Sequence, residues 1–449
     1  MTDAPQSAAA YDPVPEAPAD TDARPLTIVI GADTFAPQVN GSATFSASLA
    51  GGMAARGHDV HVVAPSAGPK LHGVFQEEHA GQLITVHRLH SWRIFTHPWY
   101  RFAIPWETYS TSRKILRSVK PDVVHFQSNI VVGRGLSGEA LKRGIRLIAT
   151  NHVIPDNIIE FSLLPRFIRG PFIKWLWWDA GRIYGRAEAM TSPTRRAADF
   201  MEEHTHLRGV LAISCGLDAS NYTPDFSPNK ENLIVFVGRV TTEKNIDELI
   251  SAFALLDPAL NAKLEIVGGG ELEAPLKAQA VALGVSDRVQ FDSYVTTEFL
   301  RQALTRAKVF AMPSTAELQS IATMEALATA LPVVAANALA LPHLVHDGEN
   351  GYLFEPGDVE EFAARLTDVL TLPQAKLDAF KRESLKIVEA HDINKTVTTF
   401  EQLYRGQTVV EPLIEESLPL HVIIRRRIED VRKRSRRLTK RLGRTRPAE

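Results

Sequence analysis

The chain has 449 residues, 45% of them hydrophobic and 23% charged, with a formal net charge of −2. This is the composition of a soluble globular protein long enough for two or more domains with substantial cores. A single cysteine, Cys215, excludes an intrachain disulfide and suits a reducing compartment, where it reads as a small buried filler, and the lack of any run of about 18 apolar residues predicts no spanning helix.

No basic patch leads into an apolar stretch at the N-terminus, so no secretory signal is expected and the expected location is cytoplasmic. Charge is concentrated at the other end. Residues 425–449 hold 12 Lys and Arg against Glu429, Asp430 and Glu449, a net of +9.

Residues 1–24 are rich in Ala, Pro and Asp without periodicity and read as a disordered tail. They contain Asp20-Thr21-Asp22, the one D-x-D of the chain. Such a pair can hold a divalent ion against a diphosphate, but an acidic tail without a fold cannot build that site, so no metal site is expected. Leu26–Ile30 is the first predicted strand. A loop with Pro37 and Gly41 follows, then a helix capped by Ser42 and running to about Ala55, then a strand at Val60–Ala64. Strand, glycine loop, helix and strand in this order make a Rossmann-like opening without G-x-G-x-x-G.

Further strands are predicted at Leu83–Leu89, Val123–Phe126, Leu147–Thr150, Ala189–Ser192 and Val210–Ser214, alternating with helices, which argues for a parallel sheet covered on both faces. His152 follows one strand end, where ligands of such sheets bind. The segments 91–106 and 164–178 mix Trp, Phe, Arg and Lys, and fit either a membrane headgroup region or a domain core with snorkelling cations. Residues 216–232 lack periodicity and form the predicted linker. A second series opens at Leu233–Val237, followed by Gly238-Arg239-Val240-Thr241-Thr242-Glu243-Lys244. Strands are predicted again at Leu264–Val267 before Gly268-Gly269-Gly270, and at Val289–Phe291, Val309–Met312, Val333–Ala336 and Gly351–Phe354.

Between the strands at 309–312 and 333–336, Ile321–Ala330 is rich in Ala, Leu and Met and reads as a helix ended by Pro332. Glu317 lies in the loop before it and Glu325 inside it. Eight residues of helix advance about 12 Å, so one ligand lying along the helix N-terminus could meet an acid at each end and free N–H groups between them. A sugar nucleotide has that shape: hexose hydroxyls, a diphosphate, ribose hydroxyls. On spacing alone, two surface acids would explain the pair as well.

Glu317 and Glu325 with seven residues between them, followed by Ala326-Leu327-Ala328 and Leu331-Pro332-Val333-Val334, resemble the E-x7-E signature of the family-four retaining glycosyltransferases. That resemblance implies an α/β GT-B fold, two Rossmann-like parallel-sheet domains facing each other across a cleft. It places an acceptor-side domain at 25–218, a nucleotide-sugar domain at 229–384, a helix crossing back at about 385–404 and a basic tail at 407–449. The family commonly has glycine where this chain has Leu318, Ser320 and Ala330. Gly238-Arg239 and Lys244 resemble the family's G-R-x-x-x-x-K segment, whose Arg and Lys hold the donor diphosphate without a metal ion.

The resemblance further implies donor contacts from Gly41, Leu318, Gln319, Ser320 and Ile321. Glu317 is expected on hexose hydroxyls, Glu325 on the ribose, and His152 donating a hydrogen bond beside the anomeric centre. The Glu-x-Gln-small form of Glu317–Ser320 is similar to bacterial enzymes acting on diacylglycerol-type lipids. The implied enzyme is a retaining, metal-independent hexosyltransferase that needs no cofactor beyond its nucleotide-sugar co-substrate. Similarity to actinobacterial α-mannosyltransferases of glycolipid synthesis makes GDP-mannose the first donor and a membrane glycolipid or lipid-linked molecule the acceptor. A UDP-hexose enzyme with a lipid or soluble acceptor, and a nucleotide-sugar-binding protein without turnover, are the alternatives.

In the tail, Ile424, Ile428, Val431, Leu438 and Leu442 share one helical face amid Arg and Lys, the pattern of a basic amphipathic helix on an anionic membrane. Residues 421–449 are therefore expected to hold the protein peripherally on the inner face of the plasma membrane. An RNA-binding arm and a coiled-coil strand are the other readings of such a segment, and its many like charges oppose self-pairing.

Overall fold

Residues 24–411, apart from 39, 95–96, 155–164, 229–230 and 294, are described by a computed structural model. The tail with Asp20 and Asp22 and the basic segment 421–449 lie outside these residues, as do the membrane and nucleic-acid readings attached to it.

The apolar runs of the first half form an eight-stranded sheet in the spatial order Leu211–Ala212, Ala189–Ser192, Arg146–Thr150, Val123–Phe126, Thr27–Gly31, Asp59–Pro65, Gln82–Leu89, Gly73–His79. All neighbours are parallel except the last pair. Alternation of side chains along a strand feeds two cores. Ile28 and Ile30 join the cluster that contains Phe45 and Leu49, while Val29 points to the opposite cluster with Leu136 and Trp177.

The second half forms a six-stranded, all-parallel sheet in the order Val289–Asp292, Lys263–Val267, Leu233–Val237, Val309–Met312, Val333–Ala336, Gly351–Phe354. In both sheets the strand order reverses beside the first strand. Thr27–Gly31 lies between Asp59–Pro65 and Val123–Phe126, and Leu233–Val237 between Lys263–Val267 and Val309–Met312. Beyond the carboxyl ends of strands at such a reversal, the flanking loops diverge and leave a crevice for a ligand. The two facing α/β units are the expected GT-B arrangement.

The crossing helix begins later than expected. Gln374–Glu389 stays with the second sheet, to whose core it gives Ile387 and Val388. The chain then turns, Asp392 caps the next helix by accepting from the Asn394 and Lys395 amides, and Ile393–Tyr404 returns to the first domain. There Val397, Phe400, Leu403 and Tyr404 enter the same core as Ile28. Linker and return run side by side: the Leu217 amide donates to the His391 carbonyl at 2.7 Å and the Ile393 amide to the Leu217 carbonyl at 3.1 Å.

Two local expectations are corrected. The helix Gly41–Ala55 is capped by Asn40, whose side chain accepts from the Ala43 amide, rather than by Ser42. The expected strand Val210–Ser214 is reduced to Leu211–Ala212, because the Arg195 guanidinium takes the Val210 carbonyl and the Gln319 side chain takes the Cys215 amide. The antiparallel edge Gly73–His79 and the hairpin Ser91–Ile94 with His97–Ala103 were not foreseen.

Candidate active site

Two loops leave the second sheet at its reversal, Gly238–Lys244 after Leu233–Val237 and Pro313–Ser320 after Val309–Met312. They are laced together. The Glu243 carbonyl accepts from the Ser314 hydroxyl at 3.2 Å and from the Thr315 amide at 3.3 Å, and the Asn245 side-chain amide donates to the Pro313 carbonyl at 3.3 Å. This lacing brings the Lys244 ammonium onto a Glu317 carboxylate oxygen, with the two side chains only 15% and 12% exposed. Burial pushes the Glu317 carboxyl up, but the charge and hydrogen bond of Lys244, the Ser314 hydroxyl and the charge of Arg239 outweigh it and hold Glu317 below the ordinary carboxylate range. Arg239 also pairs with Glu243 at 2.9 Å.

Past Glu317 the chain enters the helix Ile321–Ala328 through Ser320, held at φ 74°. No side chain caps this helix and its first turn has no acid. Among the described residues, the amides of Ile321, Ala322 and Thr323 have no hydrogen-bond acceptor outside the helix, so the helix N-terminus is set up for an anion. Ser320 and Ala330 (φ 63°) both hold the left-handed backbone that glycine would take freely, whereas Leu318 is not among the positive-φ residues. The loop geometry that glycine normally supplies is thus retained at two of the three substituted positions. Gly268 and Gly270 serve packing: a Cβ on either would lie 2.0 Å from the Gly238 carbonyl oxygen or 2.1 Å from that of Val240. They let the Gly268–Gly270 loop, which follows Lys263–Val267, close under Gly238–Val240.

Glu325 sits one helical turn beyond Ile321. The Tyr222 hydroxyl, from the linker, donates to it at 2.8 Å. Burial raises the Glu325 carboxyl to about 6, against the lowering effects of Tyr222 and Arg301.

The first domain supplies the opposite wall. A Cβ on Gly41 would lie 3.5 Å from Ile321, so the start of the Gly41–Ala55 helix stands directly against the start of the Ile321–Ala328 helix. One turn on, Phe45 packs its ring 5.0 Å from that of His152. His152 Nε2 lies 2.8 Å from the Gln127 side-chain oxygen. An oxygen there can only accept, so Nε2 carries the proton and Nδ1 offers a lone pair. Burial lowers the imidazole to about 3, so the ring is neutral. With Nε2 turned to Gln127, Nδ1 is the ring nitrogen left for another partner. Behind it, His125 meets Thr150 at 2.7 Å and Tyr404 at 2.6 Å, which links this side to the crossing helix. A cavity of about 180 Å³ joins the two sides, lined by Ile154 and Phe200 from one domain and by Thr242, Glu243, Asn245, Thr315, Ala316 and Leu339 from the other. Lys244 and Glu317 each adjoin residues that line this cavity, and His152 precedes the lining residue Ile154 by two positions.

Not every side chain expected at the donor points there. Gln319 is 3% exposed and turns into the hinge, where its oxygen accepts from the Cys215 amide at 2.7 Å and its nitrogen donates to the Ser214 hydroxyl at 2.7 Å. Leu318 packs on the first domain's core, and its carbonyl accepts from the Thr194 hydroxyl at 3.0 Å. The Ser320 hydroxyl is 2.8 Å from that of Thr323. The side chains of Gln319 and Ser320 are thus committed to partners within the protein. Cys215 is buried as expected, and burial raises its thiol. Tyr222, Gln127 and Thr194 were not anticipated. Only Gln127 had a signal, since His125 and Gln127 interrupt an otherwise apolar strand end.

Comparison with known proteins gives the same frame. Residues 39–221 match the family model described as Glycosyltransferase Family 4, and residues 223–386 the one described as Glycosyl transferases group 1. A GDP-mannose-dependent alpha-mannosyltransferase of Mycobacterium tuberculosis is 28% identical over 77% of this chain and 87% of its own. An alpha-monoglucosyldiacylglycerol synthase of Streptococcus pneumoniae is 23% identical over 84% of this chain and 85% of its own. Of three other curated relatives the chain spans 62%, 50% and 48% of the length. Among solved structures, a sucrose-phosphate synthase from Thermosynechococcus elongatus superimposes with a TM-score of 0.71 at 18% identity, covering 85% of this chain and 98% of that one, a likeness of fold. Both halves of the described chain are accounted for by adjoining family models, and the chain belongs to the family-four glycosyltransferases with the GT-B fold.

Proposed function

We propose that the protein transfers mannose from GDP-mannose, with retention of anomeric configuration, to a membrane glycolipid or lipid-linked acceptor, and does so without a metal ion. The observation that carries the reading is the joining of Lys244 to Glu317 beside the uncapped Ile321–Ala328 helix. A diphosphate there meets two cations, Arg239 and Lys244, and three free amides, which is enough positive potential to stabilise its departure. Glu317 binds hexose hydroxyls, Glu325 the ribose, and the neutral His152 accepts from a hydroxyl at the reacting face. The bond from the anomeric carbon to the diphosphate oxygen breaks and one to the acceptor oxygen forms on the same face. The acceptor proton passes to the departing diphosphate.

The mannose assignment draws on the mycobacterial relative and the lipid acceptor on the streptococcal one, whose name indicates glucosyl transfer and so favours a UDP-hexose as the second reading. Turnover, rather than binding alone, is favoured by the left-handed backbone that Ser320 and Ala330 keep in place of glycine. Calorimetric titration of the protein with GDP-mannose and with UDP-glucose, each in excess chelator, tests the donor. Tighter binding of GDP-mannose, unchanged by chelation, is the expected result. Preference for UDP-glucose, or a strict need for magnesium or manganese, contradicts it.

A further inference from the structure

The helix Arg166–Tyr184 has two faces of different character, and the site above uses only one. Trp177, Ala180, Ile183 and Tyr184 are buried in the first domain's core, and Trp177 packs its ring 5.6 Å from that of Phe200, a wall of the interdomain cavity. The opposite face carries Phe167, Trp175 and Trp178, exposed by 81%, 50% and 58%. These three recur at spacings of eight and three, so they lie in one stripe. A domain core therefore explains the inner half of this segment and leaves the outer half unexplained.

We propose that this outer face docks on the headgroup region of an anionic bilayer. Singly exposed apolar residues are ordinary, but three large rings in one stripe are not. The cations on the same face are Lys174 and Arg182, both exposed, and Arg182 stands 5.7 Å over the Trp178 ring. The helix's one acid, Asp179, is 3% exposed and already bound to Arg134 and Arg182, so the face presents no negative charge. Indole rings with a polar edge, flanked by cations on aliphatic stems, match an interface that is apolar below and anionic above. The same charge disfavours the chain's own tail as the occupant, since residues 425–449 carry a net of +9. Because the inner face lines the wall behind the cavity, docking this helix sets the cleft beside the membrane. This surface is separate from the sugar-nucleotide site, and its test does not depend on any transfer reaction.

The experiment is sedimentation of the full chain with vesicles of phosphatidylcholine containing phosphatidylglycerol, alongside the double variant Trp175→Ala/Trp178→Ala and a chain ending at residue 411. The two changed residues lie on the surface and the removed segment lies outside the described residues, and retained GDP-mannose affinity or circular dichroism checks that folding is intact. The double variant should partition about tenfold less or weaker still, the shortened chain should still bind, and brominated lipid should quench the fluorescence of the wild type more than that of the variant. Equal partitioning of wild type and double variant overturns the proposal. So does loss of all binding in the shortened chain, which would assign the contact to the tail, or failure of the wild type to bind these vesicles at all.

Discussion

The Tyr222 hydroxyl and the Glu325 carboxylate, 103 residues apart in the chain, meet at 2.8 Å, so the linker between the domains touches the acid assigned to the ribose. Burial keeps that carboxyl near 6 against an ordinary value of 4.5. A folded value above the unfolded one means the protonated form favours the fold. That contribution is complete below 4.5 and is lost as pH rises through 6. Glu325→Gln should therefore match the wild type in stability at about pH 4 or below and exceed it at pH 7.5 by up to ~2 kcal/mol. Denaturant melts at the two pH values check this; a constant difference would mean the carboxyl is not held up by burial.

Lys244→Ala leaves Glu317 buried without its cation and removes a charge from the diphosphate. Transfer should fall by about 10²-fold or more, while stability changes by about 2 kcal/mol. Near-normal turnover in the variant would separate Lys244 from the chemistry.

Ser320 holds φ 74° ahead of the helix, a conformation open to glycine and hostile to β-branched residues. Ser320→Gly should keep both fold and donor affinity. Ser320→Val should cost roughly 1–3 kcal/mol and weaken donor binding, measured by thermal melts and titration. Equal behaviour of the two variants would show that the backbone at this position does not shape the site.

Gln127→Leu leaves the Nε2 proton of His152 without its acceptor and frees the ring to turn. A drop in kcat of about 10-fold to 100-fold with little change in the donor's KM is expected. Imidazole proton shifts in the variant report whether the tautomer has changed. An unaltered kcat and spectrum would rule out positioning by Gln127.

The sequence-based reading succeeded where burial imposes a pattern. Strands such as Leu233–Val237 and Val309–Met312 are buried on both faces, so an unbroken apolar run marks them. Gly73–His79 escaped because it is an edge strand with Val74 64% and Phe75 39% exposed, and pairing on one side leaves no burial pattern to read. In the site, spacing located Glu317 and Glu325 but could not aim Gln319, whose side chain is drawn to Ser214 and Cys215 by a hinge that exists only once the domains meet. The Tyr222 contact likewise joins segments far apart in the chain, and nothing local encodes it, whereas Gln127 is marked only as a polar break at a strand end.

The central claim is that this cleft moves a hexose from a nucleotide to a lipid. It is tested most directly by incubating the full chain with GDP-mannose, excess chelator and vesicles carrying extracted bacterial envelope lipids, and analysing the lipids by mass spectrometry. The account predicts a lipid product heavier by one hexose, made by the wild type and absent with Glu317→Gln. A donor that stays intact over all acceptors tested, or a product formed equally by Glu317→Gln, would contradict it.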